Sequence, residues 1–367
     1  MIDPWLAKSI RTFVLFVGLL CALVGTGQAA QNDVFVTSGL KVDVTAASTA
    51  EARDKALAMG ERAAFRQLLE RLTMRRDHFR LPAFSAAEIA AFVLDFEVAQ
   101  EKASAVRYLA TLNYSFKADA VRRMLIDREI AFAETTSKPV LVLPVYQAAG
   151  ALLLWDDPNP WRHAWAERPE IFSLVPAILP GGDLSDIATI GPEQAVSGDE
   201  QRLSAIAGRY DAGDTIVAHA TMNMDRGRPD LEVYVTRYGT AQQEQTVVKS
   251  FTSGEQETLD MMLTRAAVEL TRQIEDNWKR DNLLQFGQQA VVAVKIRIGG
   301  LADWLDIRNR LGGVAVIRKS DLVLLSLDEV RVNLHYIGDP GQLPLALEQA
   351  DLVINREGDG WVLELGK

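Results

Sequence analysis

The chain is predicted to be a mixed α+β and α/β protein built as three small domains, the last of them a ferredoxin-like βαββαβ unit. Short apolar runs, some alternating and some continuous, recur along its 367 residues, and amphipathic stretches of helical period separate them. At about 100–200 residues per domain, that length makes two or three domains. Hydrophobic residues are 48% and charged residues 24% of the chain, ordinary for globular domains with real cores.

The first domain is read over residues 31–136. Val34 and Val36, then Leu40, Val42 and Val44, alternate as half-buried strands do. Ser48, with Glu51 three residues on, is a capping box that opens a helix. Its core stripe is Leu57, Ala64, Leu68 and Leu72, with Ala56, Met59 and Ala63 beside it. A shorter helix is expected from Ser85 to Val93, then the strands "FEVAQEKA" and "AVRYLATLNYSF" and the closing helix "KADAVRRMLIDREI". "ETTSKP" reads as a linker.

The second domain, 137–254, opens with "KPVLVLPVY", a nearly unbroken apolar run of the kind buried on both faces. "FSLVPAILPGGD" is a further strand ending in a glycine turn, and "SGDEQRLSAIAGRYDAGDTIVAHATM" is a helix, a turn and a buried strand. "LEVYVTRYG" and "EQTVVKSFT" form a closing antiparallel pair. A long amphipathic helix over 255–286, with Leu259, Leu263, Ala266, Leu270 and Ile274 on one stripe, is expected to bridge to the third domain, 287–367. There the order is "VVAVKIRIGG", a short helix stopped by Gly312 and Gly313, the strands "VAVIRKSDLVLLSL" and "EVRVNLHYIGD", the helix "PGQLPLALEQA" and a final strand or hairpin, completing the split βαβ order. No repeat of fixed period is visible.

The amino terminus reads as an export signal over residues 1–30. Lys8 and Arg11 precede the apolar run Thr12–Val24, and Gly27 and Ala29 stand at the small-residue positions of a cleavage site after Ala29 or Ala30. The run is shorter than the ~20 residues of a membrane span, so no stable membrane insertion is expected after cleavage; the alternative is an uncleaved inner-membrane anchor. Cys21 is the only cysteine and lies inside that run, after Leu20, which is not the small residue a lipoprotein signal wants. The mature chain therefore lacks thiols, which excludes disulfides, cysteine nucleophiles and thiolate metal sites and suits the periplasm. A net charge of -10 argues against nucleic acid as a partner.

Three segments carry a resemblance: "VDVTAASTAEARDKALAMGERAAFRQLLERLT", "KPVLVLPVY" with "LLLWDDPNPWRHAWAE", and "IAGRYDAGDTIVAHATM". Together they resemble an uncharacterised family of exported proteobacterial proteins, domain of unknown function two thousand and sixty-six, over nearly all of the mature chain. The tryptophan segment is the most specific part. The resemblance implies an envelope location and supplies no catalytic residues. The middle part is also similar in pattern to α/β domains of periplasmic assembly factors, namely the amino-terminal domain of the TolB translocation protein and the curli-secretion and flagellar-ring proteins.

Residues with chemistry are scattered. His78, His163, His219 and His335 have no metal-ligand spacing, and no nucleophile elbow, P-loop or dinucleotide fingerprint is present. No catalytic residue, metal site or cofactor is expected. "LPGGD", Leu179–Asp183, is read as a plain turn. Arg62, Arg66, Arg71, Arg75, Arg76 and Arg80 are read as a solvated face paired with Glu51, Glu61 and Glu70, the alternative being a face for an acidic partner. The one candidate ligand site is the acidic-aromatic segment. Trp155, Trp161 and Trp165 would stack on a sugar while Asp156 and Asp157 bind hydroxyls or Ca²⁺. The structural reading of the same residues is a clasp in which Asn159 caps a helix, Pro160 fills its first position, and Trp161 and Trp165 share one face. The functional expectation is a non-enzymatic periplasmic scaffold or protein-interaction module in envelope assembly, with other envelope proteins as partners. Its alternative is a periplasmic binding protein for a glycan or small polar ligand.

Overall fold

Alternation in the first part places Tyr108, Ala110, Leu112, Tyr114 and Phe116 on the buried side of one strand, and that strand is the centre of its sheet. The computed structural model describes residues 34–366 except 149, 170–171, 226–227, 240–244, 285–288 and 359. The expected signal segment and Cys21 lie outside the described residues. The first part runs β1 (Val36–Thr45), α1 (Thr49–Leu72), a 3₁₀ turn (Arg75–Arg80), α2 (Ala86–Ala90), β2 (Val93–Ala103), β3 (Arg107–Phe116) and α3 (Ala118–Asp127), with an antiparallel sheet in the order β1-β3-β2. The helix expected to reach Val93 stops at Ala90, because Val93 pairs with Phe116 in the sheet. Ser48 caps α1, accepting from the Glu51 N–H at 3.2 Å.

The buried stripe of α1 differs from the expected one. Ala52, Ala56, Gly60, Ala64, Leu68 and Leu72 face the sheet, with Phe65 and Leu69, while Met59 and Ala63 face solvent. Small residues every fourth position let the helix lie close to the strands: a Cβ on Gly60 would come within 2.5 Å of Leu112 Cδ1. The arginine face is also partly inward. Arg71 is buried and donates from Nη1 to the carbonyls of Val34 and Val36 at 2.8 and 2.7 Å, tying α1 to the start of β1. Arg75 reaches across to Glu269 at 2.7 and 2.8 Å. Of the expected pairs Arg66–Glu70 forms, whereas Glu51 pairs with Lys55.

The second part is a six-stranded mixed sheet. β4 (Val140–Ala148) turns back into the short β5 (Ala151–Leu153), and β6 (Ala177–Ile178) runs parallel to the start of β4 on the same edge. Between them lies α4 (Pro160–Glu167). The helices α5 (Leu184–Thr189), α6 (Pro192–Ser197) and α7 (Glu200–Arg209) then lead to β7 (Asp214–Asp225), parallel to β4. β8 (Arg228–Gly239) and β9 (Gln245–Thr252) close the sheet antiparallel. Burial on both faces explains the unbroken apolar run in β4. Val142 packs with the core that holds α4 and the long helix α8 (Leu259–Asp281), and Leu141, Leu143 and Val145 pack with the core under α6 and α7.

α8 therefore does more than bridge. Met262, Leu263, Ala266, Ala267 and Leu270 make it a covering layer of the second sheet, with α4 beside it. Its carboxyl-terminal turn reaches the first part, where Lys279 Nζ donates to the carbonyls of Glu70 and Thr73 at 2.8 and 3.0 Å and pairs with Glu275 at 3.0 Å. "ETTSKP" differs from a linker in the same way. Glu134, Thr135 and Ser137 are buried; Trp278 donates to the Thr135 carbonyl at 2.7 Å, and Arg122 grips Glu134 through two bonds of 2.7 Å. A buried connection must have its backbone N–H and C=O groups bonded, and that binds the parts together.

The third part runs β10 (Gln289–Arg297), α9 (Leu301–Gly313), β11 (Ile317–Leu325), β12 (Glu329–Ile337), α10 (Gln342–Glu348), β13 (Leu352–Glu357) and β14 (Gly360–Leu365). Here the single closing strand of a βαββαβ unit is replaced by a hairpin. β14 lies parallel to β10 and β13 sits outside it, giving the order β11-β12-β10-β14-β13. The first and third parts thus share a strand-helix-strand-strand-helix course and the same placing of the third strand between the first two. Their cores are continuous: Leu68, Leu112 and Leu125 belong to one cluster with Val294, Val332 and Leu347. The Leu284 N–H bonds the Phe132 carbonyl at 2.9 Å. Residues 34–367 form one compact unit. Among the described residues, no helix is long and apolar enough to cross a membrane.

Candidate functional site

The tryptophan segment begins where β5 ends. Asn159 is buried at the start of α4; its Oδ1 accepts from the Arg162 N–H at 3.0 Å, and its Nδ2 donates back to the carbonyls of Leu153 and Leu154 at 3.3 and 3.4 Å. Pro160 occupies the first turn. Trp161 and Trp165 are wholly buried and meet edge to face with ring centroids 5.8 Å apart. Trp161 Nε1 donates to the Ala218 carbonyl of β7 at 2.9 Å. Trp155 is half-buried and donates to the Ile190 carbonyl at 2.7 Å. Asp156 and Asp157 are exposed, the latter before a cis proline bond to Pro158. The six candidate ligand residues, Trp155, Asp156, Asp157, Asn159, Trp161 and Trp165, lie within eleven positions, but the structure divides them. Asn159, Trp161 and Trp165 are packing groups with no face for a ligand, Asp156 and Asp157 stand in solvent, and Trp155 is half-buried.

The "LPGGD" turn packs on this segment. Arg162 lies 5.8 Å from the centre of the Trp155 ring and donates to the Pro180 and Gly181 carbonyls at 3.3 and 2.5 Å. Gly182 has φ 76°, a conformation that favours glycine, and a Cβ there would come 2.8 Å from Arg162 Nη2. Behind it Asp186 is fully buried and accepts from the Gly182 N–H at 2.9 Å, the Tyr210 hydroxyl at 2.6 Å and Arg209 Nε at 3.2 Å. These bonds satisfy the carboxylate from within the fold. His219 bonds Gln147 at 3.1 Å, and burial pushes its imidazole below the usual histidine value, so it is a neutral strand residue. Among the described residues no group of three or more His, Cys, Asp or Glu is placed to hold a metal.

A cleft of about 860 Å³ lies at the amino ends of β4 and β7, where α7, the end of α8 and α10 converge on Ser137 and Lys138. Sequence reasoning missed it, since its walls come from residues more than 200 positions apart. In open α/β sheets ligands collect at the carboxyl ends of strands, and this cleft is at the opposite end. Its cations are engaged, Lys138 with Asp351 at 2.5 Å and Arg237 with Asp214.

The third feature is an edge. Among the described residues, β11 borders the third sheet on one side with only β12 as neighbour. Leu322, Val323, Leu324, Leu325 and the following Leu327 are between 43% and 93% exposed, as are Leu301 and Leu305 of α9, the helix in contact with β11. Leu322 and Leu325 stand opposite the buried Val332 and Val330, on the face that helices cover elsewhere, and Leu324 stands opposite Arg331 on the other face. Val323 is the extra residue of a bulge between them. The sequence contained the run "LVLL", but apolar runs of this kind read as buried strands; nothing local marks this one as an edge.

Comparison of the chain with protein-family models, with curated proteins and with solved structures gave no match. The structure therefore defines, at the level of class, a mixed α/β protein with an exposed apolar sheet edge.

Proposed function

We propose that the protein is a non-enzymatic interaction module of the cell envelope, exported to the periplasm by its amino-terminal segment and binding another protein through the free edge of its third sheet. The observation that carries this reading is β11, a strand with unpaired backbone groups on one side and Leu322–Leu325 exposed. Sheet edges are normally blunted with charge or covered, because a bare apolar edge templates strand addition. A contiguous apolar patch on such an edge marks an interaction surface. The export-signal pattern of residues 1–30 and the resemblance to exported envelope proteins support the compartment. The glycan-binding alternative loses support, because Trp161 and Trp165 have no exposed ring face and only Trp155 remains partly open.

The test is a photoreactive residue placed at Leu324 in cells, with the exposed Asp156 as the control. A crosslinked species at Leu324 and none at Asp156 is the expected result. Crosslinks at neither position would sink the interaction reading. Oligosaccharide binding that Trp155→Ala abolishes without lowering the melting temperature would move the function to the tryptophan loop.

A further inference from the structure

The cleft beside Ser137 and Lys138 stands where parts of the fold meet, and ligand pockets form preferentially at such junctions. α7 and the first residues of β7 wall it from the second part, Leu345 and Glu348 of α10 from the third, and the last turn of α8 adds Trp278 and Asp281. Its volume of about 860 Å³ is that of a small-molecule site.

The charges that line it are unbalanced. Its two cations are each held by a carboxylate, Lys138 by Asp351 at 2.5 Å and Arg237 by Asp214. Among the described residues, Glu200, Asp211 and Asp281 line the same cleft, are exposed, and have no cation of their own. Nor, among the described residues, are any three His, Cys, Asp or Glu side chains placed to share a metal ion. Unmatched negative charge spread round a cleft attracts a cation whose own charges are spread. Ser137 also lines the cleft and is 6% exposed, and its hydroxyl has no hydrogen-bond partner among the described residues. A buried hydroxyl without a bond is costly to the fold, and a ligand ammonium would donate one. Leu203, Ala207, Leu345 and Trp278 give the cleft apolar wall on which methylene groups can lie.

We infer that this cleft binds a linear polyamine, with its ammonium groups set against Asp211, Asp281 and the Ser137 hydroxyl and its methylene chain against Leu203 and Leu345. β11 contributes no residue to the cleft, so polyamine binding here and protein binding at the sheet edge stand or fall independently.

The experiment is calorimetric titration of the full chain with spermidine at low ionic strength, where exposed charges are least screened. One saturable site is expected. Asp211→Asn and Asp281→Asn should each weaken it by roughly two- to fivefold, as loss of an exposed ion pair does, and the two together by more, with melting temperatures unchanged. Ser137→Ala should also weaken it without lowering the melting temperature of the free chain, since the hydroxyl has no bond there to lose. Asp156→Asn with Asp157→Asn removes as much charge outside the cleft and should leave the affinity as it was. Mg²⁺ alone should show no saturable binding. Equal losses in the two double variants would overturn the inference, because spermidine would then follow the net charge of -10 and not the cleft. So would full affinity in the Asp211, Asp281 double variant or in Ser137→Ala, no saturable binding at all, or a Mg²⁺ site that Asp211→Asn abolishes.

Discussion

Trp165 is wholly buried, yet its Nε1 has no hydrogen-bond acceptor, whereas Trp161 four residues earlier donates to Ala218. What holds Trp165 is contact, with Trp161 at its edge and the Arg168 guanidinium 5.3 Å from its ring centre. The two indoles should therefore answer differently to the same substitution. Trp161→Ala and Trp165→Ala should each cost about 3–5 kcal/mol as large cavities. Trp165→Phe should cost less than Trp161→Phe, because only the latter strands a bonded carbonyl, a penalty of about 1–3 kcal/mol. Asn159→Ala should cost about 1 kcal/mol through the lost cap, and Asp156→Ala should stay within ~0.5 kcal/mol. Urea denaturation of the set measures all of these. An Asp156→Ala loss equal to that of Asn159→Ala would refute the clasp, since an exposed carboxylate has nothing to lose.

At the scale of elements, α8 reaches the first part of the fold through a buried lysine that is paired within its own helix. Lys279 and Glu275 are nearly without exposure, and the ammonium also satisfies the last carbonyls of α1 at Glu70 and Thr73. Helix carboxyl ends leave such carbonyls without intrahelical donors, so a lysine from a neighbouring helix completes the cap. Lys279→Met should destabilise by about 3–5 kcal/mol, because it leaves Glu275 as an unpaired buried charge. Lys279→Met combined with Glu275→Gln should recover part of that loss. Chemical denaturation of the single and double variants decides: a double variant no better than the single one would show that the ion pair itself contributes little and that the α1 carbonyls carry the effect.

Across the whole molecule, the buried segment 134–139 removes the hinge that a three-domain reading needs. Its backbone bonds Leu174 through Ser137 and Gln349 through Lys138, at 2.8 and 2.7 Å, so the second and third parts are tied to the same six residues. With one core running through the first and third parts, local opening of either exposes the other. Differential scanning calorimetry of the full chain should show one endotherm whose calorimetric and van't Hoff enthalpies agree. Two resolved transitions, with residues 287–367 melting alone, would restore independent domains.

Local pattern was enough for most elements, since strand alternation, the capping serine at position 48 and the Asn159-Pro160 helix start depend on neighbours within four residues. It also made the clasp legible, because turn chemistry and the i, i+4 spacing of Trp161 and Trp165 are local properties. Contacts between distant segments carry no such periodic trace. The inward turn of Arg71, the capture of α1 by Lys279, the burial of "ETTSKP" and the insertion of β14 beside β10 each depend on what lies tens to hundreds of residues away. The same holds for β11. Its leucines have the composition of a buried strand, and only its place at the border of a sheet, which α9 touches without covering, leaves them in water. Hydrophobicity alone sets how strongly a segment tends to be buried; the tertiary arrangement decides whether its own chain is what covers it.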